Sequence, residues 1–339
     1  MHNRKPDPDL GPDPDLGPLI EVANLAKRFD SLTAVDNISF TLNRGEIFGF
    51  LGPNGAGKTT TIRMLTGLSR PDSGTIMVAG RDCSKNPKAA QHLIGVVPDE
   101  SNLYPELTGF DNLCFCGALY GMRKSERIER ANELLKSFGL EDAAERKFGA
   151  YSKGMKRKLT IAAGIIHRPH ILFLDEPTTG IDVASARQVR QLISRLNASG
   201  TTIFLTTHYI EEAERLCSRI AFIVKGKVVK TDSVKNLIQP LQGRHIMLVS
   251  ASGNTEDLLL KLSYAFKNYT FRNLSHEQIR VESAEQINLV QIVKFMEEHG
   301  VEVTEAKRSV PTLEDIFVDI TGIEADALKN DTVKKRKSV

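Results

Sequence analysis

Residues 51–61 read LGPNGAGKTTT, and in this segment three glycines, among them Gly52 and Gly57, precede a lysine and three threonines. The apolar run at 47–51 is typical of a buried strand, and residues 60–68 can begin a helix. A glycine-rich turn between strand and helix presents backbone N–H groups at the positive end of the helix, where a phosphate chain binds. The segment therefore predicts a nucleotide phosphate site, with a glycine-rich turn that binds no ligand as the alternative.

The spacing of the two glycines matches the Walker A pattern G-x-x-x-x-G-K-[ST]. In this pattern Lys58 neutralises the charge of the β- and γ-phosphates, and the hydroxyl of Thr59 binds Mg²⁺. The predicted nucleotide contacts are Gly52, Pro53, Asn54, Gly55, Ala56, Gly57, Lys58, Thr59 and Thr60. A phosphate loop by itself leaves many functions open, from kinases to GTPases.

The composition describes a chain long enough for an enzyme. Its 339 residues, 41% of them hydrophobic, suggest two domains, or one large domain with an appendage. We find no apolar signal core and no apolar run of about 18 residues, so we expect a cytoplasmic protein without a membrane span. The net charge of +3, from 45 basic and 42 acidic residues, gives no reason to expect nucleic acid as a partner.

The pattern of residues changes several times along the chain. Residues 1–18 repeat PDPDLG and are expected to form a disordered lead, because proline and aspartate at this density form neither a core nor a helix. Residues 19–237 alternate short apolar strands with helical segments, which predicts a parallel α/β core. Within this core, residues 102–147 lack strand-like runs and predict a helical subdomain.

A smaller second domain is predicted at residues 240–322. Its order of strand, helix, two strands, helix and strand favours an α+β module of the ferredoxin-like type. Thr312 and Asp315 can cap a last helix, whose apolar face packs either within this module or on another subunit. Residues 323–339 contain the basic run KKRK, which predicts either a solvated tail or a segment attracted to an anionic membrane surface.

Two further strand ends carry candidate catalytic side chains. Asp175 and Glu176 follow the apolar run at 171–174, and His208 comes soon after the run at 202–205. Open α/β sheets bind ligands at the carboxyl ends of their strands, so these side chains are expected near the phosphate loop. Asp175 suits Mg²⁺, Glu176 can activate the attacking water as a general base, and His208 can hydrogen-bond the γ-phosphate. Taken singly, each also suits an ordinary strand end.

One more segment brings these motifs together. Residues 151–158 read YSKGMKRK, in which Ser152 and Gly154 stand where the ATP-binding cassette (ABC) family has the serine and the second glycine of its LSGGQ signature. Walker A, the DEP of Walker B, a D-loop ending in Asp182 and the switch histidine His208 complete the set. Over residues 19–237 the chain therefore resembles the nucleotide-binding subunit of an ABC transporter, with the P-loop NTPase fold of that family.

The resemblance implies an ATPase that works as a head-to-tail dimer. In the family, each ATP lies between the Walker A loop of one chain and the signature of the other, so Ser152 and the Gly154 N–H are expected to contact the γ-phosphate of the partner's ATP. Asp182, in the D-loop, is assigned to the same nucleotide site. Phe29 stands where the family usually has a tyrosine that stacks on adenine, and a core phenylalanine is the alternative.

Two motifs depart from the family pattern. Asp99 occupies the place of the Q-loop glutamine, which contacts Mg²⁺ and links catalysis to the membrane subunit. Its carboxylate is still a hard oxygen ligand, so Asp99 is predicted as a catalytic and magnesium-binding residue, although it adds negative charge near the γ-phosphate. In the signature, Tyr151, Lys153 and Met155 replace leucine, glycine and glutamine. Lys153 either adds a cation near the partner's phosphates or is simply solvated.

The resemblance also suggests the partners. With one cassette and no predicted span, a transporter built from this chain needs a second copy of it and a separate permease, at the cytoplasmic face of the membrane. Residues 311–322, PTLEDIFVDITG, resemble the end of drug-export ATPases of the daunorubicin-resistance type. We therefore expect an exporter rather than an importer, with the cargo undetermined. The rival interpretation is a soluble ABC ATPase acting on nucleic acid or the ribosome.

Overall fold

The computed structural model describes residues 17–241, 243–252 and 256–323. Residues 1–16 of the predicted lead, and the predicted basic tail from residue 324, lie outside these ranges. The chain divides into two compact units. Within these ranges, one unit comprises residues 17–234 together with 317–323, and the other is Lys235–Ile316.

The first unit contains the predicted parallel strands and helices, together with an antiparallel sheet that the sequence analysis did not predict. Its strands are β1 (Ile20–Phe29), β2 (Leu32–Leu42), β3 (Ile47–Leu51), β4 (Ser73–Val78), β5 (Arg81–Asp82), β6 (Ile94–Val97), β7 (Ile171–Asp175), β8 (Thr202–Thr207), β9 (Arg219–Val224) and β10 (Lys227–Ser233). Its helices are α1 (Lys58–Leu65), α2 (Gly109–Leu119), α3 (Lys124–Ser137), α4 (Lys153–Gly164), α5 (Val183–Ala198) and α6 (Ile210–Leu216).

A mixed sheet with the strand order β10-β9-β3-β8-β7-β6 carries the candidate site. The neighbouring strands from β9 to β6 pair in parallel, and β10 pairs with β9 in the antiparallel sense. All residues of β3, β7 and β8 are buried, as expected for parallel strands covered on both faces. A second, antiparallel sheet has the order β2-β1-β4-β5.

An aromatic cluster packs the two sheets together. The ring centroid of Phe204 on β8 lies 5.8 Å from that of Phe48 on β3 and 5.5 Å from that of Phe173 on β7. It also lies 5.9 Å from the ring centroid of Phe40 on β2 of the antiparallel sheet. Each such pair contributes about 0.5–1.5 kcal/mol beyond the apolar area that it buries. The cluster thus holds together the strands whose ends carry Lys58, Asp175 and His208.

Residues 102–147 contain α2 and α3, and the strand pairing found there is the isolated bridge between Thr108 and Lys147. The segment is tied to the start of α4 through Tyr151, whose hydroxyl donates to the carbonyl oxygen of Ala143 at 2.6 Å. A Cβ on Gly109 would lie 2.1 Å from that hydroxyl oxygen, so the ring reaches its partner because Gly109 has no side chain. Tyr151, which replaces the usual signature leucine, therefore anchors the helical segment to α4.

The second unit has the predicted βαββαβ order. Its elements are α7 (Val234–Ile238), which begins at the end of the first unit, β11 (His245–Ser252), α8 (Glu256–Ala265), β12 (Thr270–Ser275), β13 (Gln278–Ser283), α9 (Leu289–Glu298) and β14 (Glu302–Ser309). The strands form an antiparallel sheet in the order β12-β13-β11-β14. Its apolar core includes Val249, Ile279, Val281, Ile292 and Met296.

The last helix, α10 (Leu313–Thr321), has the predicted start. The backbone N–H of Thr312 donates to the carboxylate of Asp315 at 2.8 Å, which is one half of a capping box. Phe317 on this helix is fully buried, and its ring centroid lies 5.4 Å from that of Phe222 on β9, within the first unit. Phe317 is therefore covered by β9 of the first unit, whereas Ile320 on the same helix is exposed.

Candidate nucleotide site

Four strands that lie side by side, β3, β8, β7 and β6, end at the same edge of the mixed sheet. Lys58 follows β3, His208 follows β8, Glu176 follows β7 and Asp99 follows β6. The strands are parallel, so their carboxyl ends meet at one edge, where open α/β sheets bind ligands. The fold therefore brings together groups that are far apart in the sequence, as predicted.

The loop between β3 and α1 has the backbone form of a phosphate cradle. Gly57 has a φ angle of 105°, in the left-handed region that glycine adopts without strain. A Cβ on Gly52 would lie 2.1 Å from the carbonyl oxygen of Ile223, and a Cβ on Gly57 would lie 2.4 Å from that of Ala34. Both positions thus require glycine, and the loop presents backbone N–H groups at the start of α1, where anions bind.

Lys58 is buried at the centre of the site, with 6% of its surface exposed. Its Nζ donates to the carbonyl oxygens of Gly52 at 2.6 Å and Pro53 at 3.1 Å, and it lies 3.1 Å from Oε1 of Glu176. A buried ammonium group needs such partners, because an unpaired buried charge is strongly unfavourable. The lysine therefore bridges the phosphate loop and the carboxylate that follows β7.

Glu176 also pairs with His208. Oε2 of Glu176 lies 2.7 Å from Nδ1 of His208 and accepts a hydrogen bond from the Thr179 hydroxyl at 3.1 Å. Nε2 of His208 is buried and has no hydrogen-bond partner among the described residues. A buried polar atom without a partner is unfavourable, so this nitrogen is a candidate contact for a bound ligand.

The backbone of Glu176 is held in an uncommon conformation. Its φ angle of 49° lies in the left-handed region, which non-glycine residues adopt mainly where the surroundings enforce it. Its N–H donates to the carbonyl oxygen of Thr206 at 3.1 Å. Burial acts to raise the pKa of Glu176, but the hydrogen bond from His208 and the charge of Lys58 outweigh it and hold the pKa below its usual 4.5. The carboxylate is therefore ionised and able to accept a proton from water.

Asp175, the last residue of β7, is buried and accepts a hydrogen bond from the hydroxyl of Thr206 at 2.5 Å. This contact follows from the strand register, which places the two residues opposite each other on β7 and β8. The neighbouring strand therefore orients the carboxylate that the sequence assigns to Mg²⁺.

The predicted signature residues lie at the start of α4. Ser152 is exposed, and its hydroxyl caps the helix by accepting from the N–H of Met155 at 3.3 Å. A Cβ on Gly154 would lie 2.1 Å from the hydroxyl oxygen of Ser185 on α5, so the two helices approach closely because Gly154 has no side chain. Asp182 holds Ser185 in place, because its carboxylate accepts from the N–H at 2.9 Å and from the hydroxyl at 2.6 Å.

Comparison with known proteins agrees with this geometry. The ABC transporter family profile matches residues 35–179. The linearmycin resistance ATP-binding protein of Bacillus subtilis is 37% identical over 90% of this chain and 98% of its own length. The daunorubicin/doxorubicin resistance ATP-binding protein of Streptomyces peucetius is 35% identical over 94% of this chain and 97% of its own length. The chain belongs to the ABC transporter ATP-binding family.

This ABC protein is an ATPase subunit of a transporter, with relatives named for drug resistance, and the predicted P-loop NTPase fold is confirmed. Among solved structures, it resembles a dimeric post-hydrolysis ATP-binding cassette bound to ADP and Pi, with a TM-score of 0.58 and 26% identity over 63% of this chain and 98% of that one. Within the described residues, no helix has the length and apolar character needed to cross a bilayer.

Asp99 keeps its predicted place in this ABC cassette, in the loop after β6. Taken as a whole the residue is exposed, while its carboxyl group lies in the partly shielded surroundings of Asp175, Glu176 and Arg157. Partial burial raises the pKa of Asp99 above its usual 3.8, the nearby charges of Asp175 and Glu176 add to this effect, and the charge of Arg157 opposes it. Its role as a magnesium ligand stays a prediction.

Two other predicted residues are solvent-accessible. Phe29 is 49% exposed, and the ammonium group of Lys27 lies 5.4 Å from its ring centroid. An exposed aromatic face suits the predicted contact with adenine better than a place in the core. Lys153 is exposed at the start of α4, where either of its two predicted roles is possible.

Sequence reasoning missed two buried charged residues beside the site. Glu212 on α6 is 3% exposed. Burial raises its pKa, and neither carboxylate oxygen has a hydrogen-bond partner among the described residues. Its position four residues after His208, in the first turn of α6, was the available signal. Arg157 on α4 is 6% exposed and donates to backbone carbonyls. In the sequence it is the middle residue of a basic run, which usually indicates a solvated face.

Proposed function

We propose that this ABC ATPase works as a head-to-tail pair of identical chains that drives a separate membrane permease, as an exporter, at the cytoplasmic face of the membrane. The solved dimer that it resembles is a cassette of the same family. The export direction is supported by relatives that are named as resistance proteins and match nearly the whole chain.

The observation that carries the dimer proposal is the division of the site between buried and exposed groups. Lys58, Glu176 and His208 form one buried cluster at the sheet edge. Ser152, in contrast, is exposed at the beginning of α4. A helix start with an exposed hydroxyl is suited to bind an anion presented by another molecule. In the proposed dimer this anion is the γ-phosphate of the ATP on the partner chain.

The cluster assigns a role to each catalytic side chain. ATP binds with its phosphates in the loop Gly52–Thr60, and Lys58 turns from Glu176 towards the β- and γ-phosphates. Glu176 accepts a proton from a water molecule as the water oxygen bonds to the γ-phosphorus and the bond to the bridging oxygen breaks. Nε2 of His208, which is buried and has no partner in the part of the chain that the structure describes, contacts the γ-phosphate. The products are ADP and phosphate.

The residues present also fit Mg²⁺. This ion is usually held by one or two carboxylates together with substrate phosphates. The exposed hydroxyl of Thr59 and the carboxylate of Asp175, oriented by Thr206, supply the oxygen ligands that it prefers, and Asp99 follows the neighbouring strand. When bound, the ion neutralises charge on the β- and γ-phosphates. Within the described ranges, no three His, Cys, Asp or Glu side chains cluster as a metal site.

Loss of the γ-phosphate explains how the ATPase drives the permease. In the proposed dimer this group contacts the Walker A loop of one chain and Ser152 of the partner subunit. Its release removes contacts that hold the two chains together, so the pair opens. Residues 102–147, with α2 and α3, are the proposed contact surface for the permease.

Trapping of the ATP-bound state tests the proposal. Glu176→Gln retains the shape of the side chain but removes the base, so Mg·ATP should convert the purified variant from monomer to dimer on size-exclusion chromatography. The matched control is Glu176→Gln combined with Ser152→Arg, which should remain a monomer because the added bulk blocks the signature. A monomer for the single variant at saturating ATP would refute the dimer.

For the export step, the permease should co-purify with this chain and support ATP-dependent efflux from vesicles.

A further inference from the structure

We propose that Arg157 is a positioning residue for ATP hydrolysis, which aligns the backbone of the loops after β6 and β7 with α4. The inference rests on the ATPase activity of the family and not on the proposed dimer. Among the described residues, none of the hydrogen bonds of Arg157 goes to the phosphate loop or to the side chains of Lys58 and His208.

The guanidinium group of Arg157 is buried and fully used as a donor. It makes five hydrogen bonds, which equals the number of its N–H groups. The acceptors are the backbone carbonyl oxygens of Pro98 at 2.5 Å, Asp99 at 3.1 Å, Asp175 at 2.7 Å, Glu176 at 2.7 Å and Pro177 at 2.8 Å. One side chain therefore organises two loops that are separated in the sequence.

The acceptors are the residues that bear the candidate site carboxylates. Asp99 lies in one loop, and Asp175 and Glu176 lie in the other. A carbonyl held by a buried arginine cannot rotate without breaking a charge-assisted hydrogen bond, which contributes more than a neutral one. The three carboxylates therefore project from backbone whose orientation is set by a single guanidinium group.

The bonds to the second loop also account for the strained position of Glu176. This residue has a φ angle of 49°. Its N–H is held by Thr206 at 3.1 Å, and its carbonyl oxygen is held by Arg157 at 2.7 Å. With both sides of the residue held in place, the left-handed conformation persists. The carboxylate is thereby aimed at Lys58 and His208.

The fork geometry of arginine is needed for this role. Arg157 uses Nε for Pro177, Nη1 for Pro98 and Asp99, and Nη2 for Asp175 and Glu176, so its donors radiate from three nitrogens. Lysine offers up to three donors from a single nitrogen. A lysine at this position keeps the positive charge but cannot serve both loops at once.

The test is the response of kcat and KM to Arg157→Lys and Arg157→Met. ATP binds chiefly to the loop after β3, and the five hydrogen bonds of Arg157 go instead to the loops after β6 and β7. KM and the Kd of a fluorescent ATP analogue should therefore stay within about threefold of the wild type. We expect kcat to fall at least tenfold in both variants, because misplaced catalytic groups slow the chemical step. The matched control is Ile161→Val. Ile161 is fully buried one turn further along α4, and the substitution removes a methyl group without removing a hydrogen bond to either loop.

Each result decides the question. A kcat for Arg157→Lys close to that of the wild type would show that the charge suffices and overturn the positioning role. Failure of Arg157→Lys to fold would also overturn the role. The same holds if Arg157→Lys and Ile161→Val lose equal amounts of Tm and show the same fall in kcat. Either result would assign Arg157 to stability alone. A monomeric Glu176→Gln variant would refute the dimer while leaving this measurement intact, so the two proposals fail separately.

Discussion

Nδ1 of His208 lies 2.7 Å from Oε2 of Glu176, which links the residue after β8 to the residue after β7. The carboxylate is ionised and only accepts, so Nδ1 carries the proton. The other ring nitrogen, Nε2, is buried without a partner among the described residues. His208 thus orients the candidate base with one nitrogen and leaves the second for substrate.

His208→Ala should lower kcat by about 10²-fold or more, because both the orientation of Glu176 and a phosphate contact are lost. The hydrogen bond from His208 lowers the pKa of Glu176, so its removal should raise that pKa. The base then takes up a proton at higher pH, and the acid limb of the kcat/KM profile should move upward. Steady-state ATPase assays across pH measure both effects. An unmoved acid limb would contradict the proposed pairing.

Glu212→Gln should stabilise the protein at high pH. Burial raises the pKa of Glu212 in the folded state, with the charge of Glu176 adding to the rise and that of Arg190 opposing it. Folding therefore takes up a proton, and the wild type loses stability as the pH rises from 4.5 towards the folded pKa, by about 1.4 kcal/mol per pH unit. The variant has no ionisable group at this position, so it does not lose stability in this way. Urea unfolding at pH 5 and pH 8 measures the free energy of unfolding of both proteins. The difference in favour of the variant should be larger at pH 8, and a smaller difference at pH 8 would contradict the prediction.

Gly154→Ala should destabilise the junction of α4 and α5 by about 1–3 kcal/mol, the usual range for overpacking. The added Cβ would lie 2.1 Å from the hydroxyl oxygen and 2.6 Å from Cβ of Ser185. Ser185→Gly removes both atoms at a cost of roughly 1 kcal/mol for glycine in a helix. The double variant should therefore lose less stability than the sum of the two single changes. Strict additivity in urea unfolding would show that the contact is not the cause.

Asp99→Gln should leave the Kd for ATP within about twofold of the wild type, because Asp99 follows β6 and lies outside the phosphate loop. The change removes a negative charge near the γ-phosphate and supplies an amide donor, so the rate and its magnesium dependence should change. ATPase assays over a magnesium series, together with nucleotide binding, measure this. A large loss of ATP affinity would mean that the loop after β6 is wrongly aligned with the Q-loop.

The predictions from sequence succeeded where local pattern carries the information. The glycines of the phosphate loop and the apolar run before Asp175 each depend on neighbours within a few residues. The βαββαβ order of the second unit followed from the same periodicity. The packing partner of Phe317 could not be predicted from the sequence, because the apolar pattern of a helix does not indicate which surface the helix packs against.

Arg157, Glu212 and Ser185 were not predicted as parts of the site, and the reason is common to all three. Each acts through contacts made by tertiary folding: Arg157 donates to carbonyls up to 59 positions away, and Ser185 meets Gly154 from another helix. A backbone carbonyl that accepts a hydrogen bond cannot be recognised from the sequence, because every residue has a backbone carbonyl. A basic residue inside KRK looks the same whether it is solvated or buried.

By itself, the sequence determined the phosphate loop, the alternation that builds the parallel sheet and the residue types at the strand ends, since these follow from backbone freedom and from apolar periodicity. The tertiary structure alone decided that Glu176 faces both Lys58 and His208, that its backbone is held in a left-handed conformation, and that Arg157 organises the two loops. The physical reason is that directional hydrogen bonds over a few ångströms depend on how distant strands and helices pack, and local sequence does not encode that arrangement.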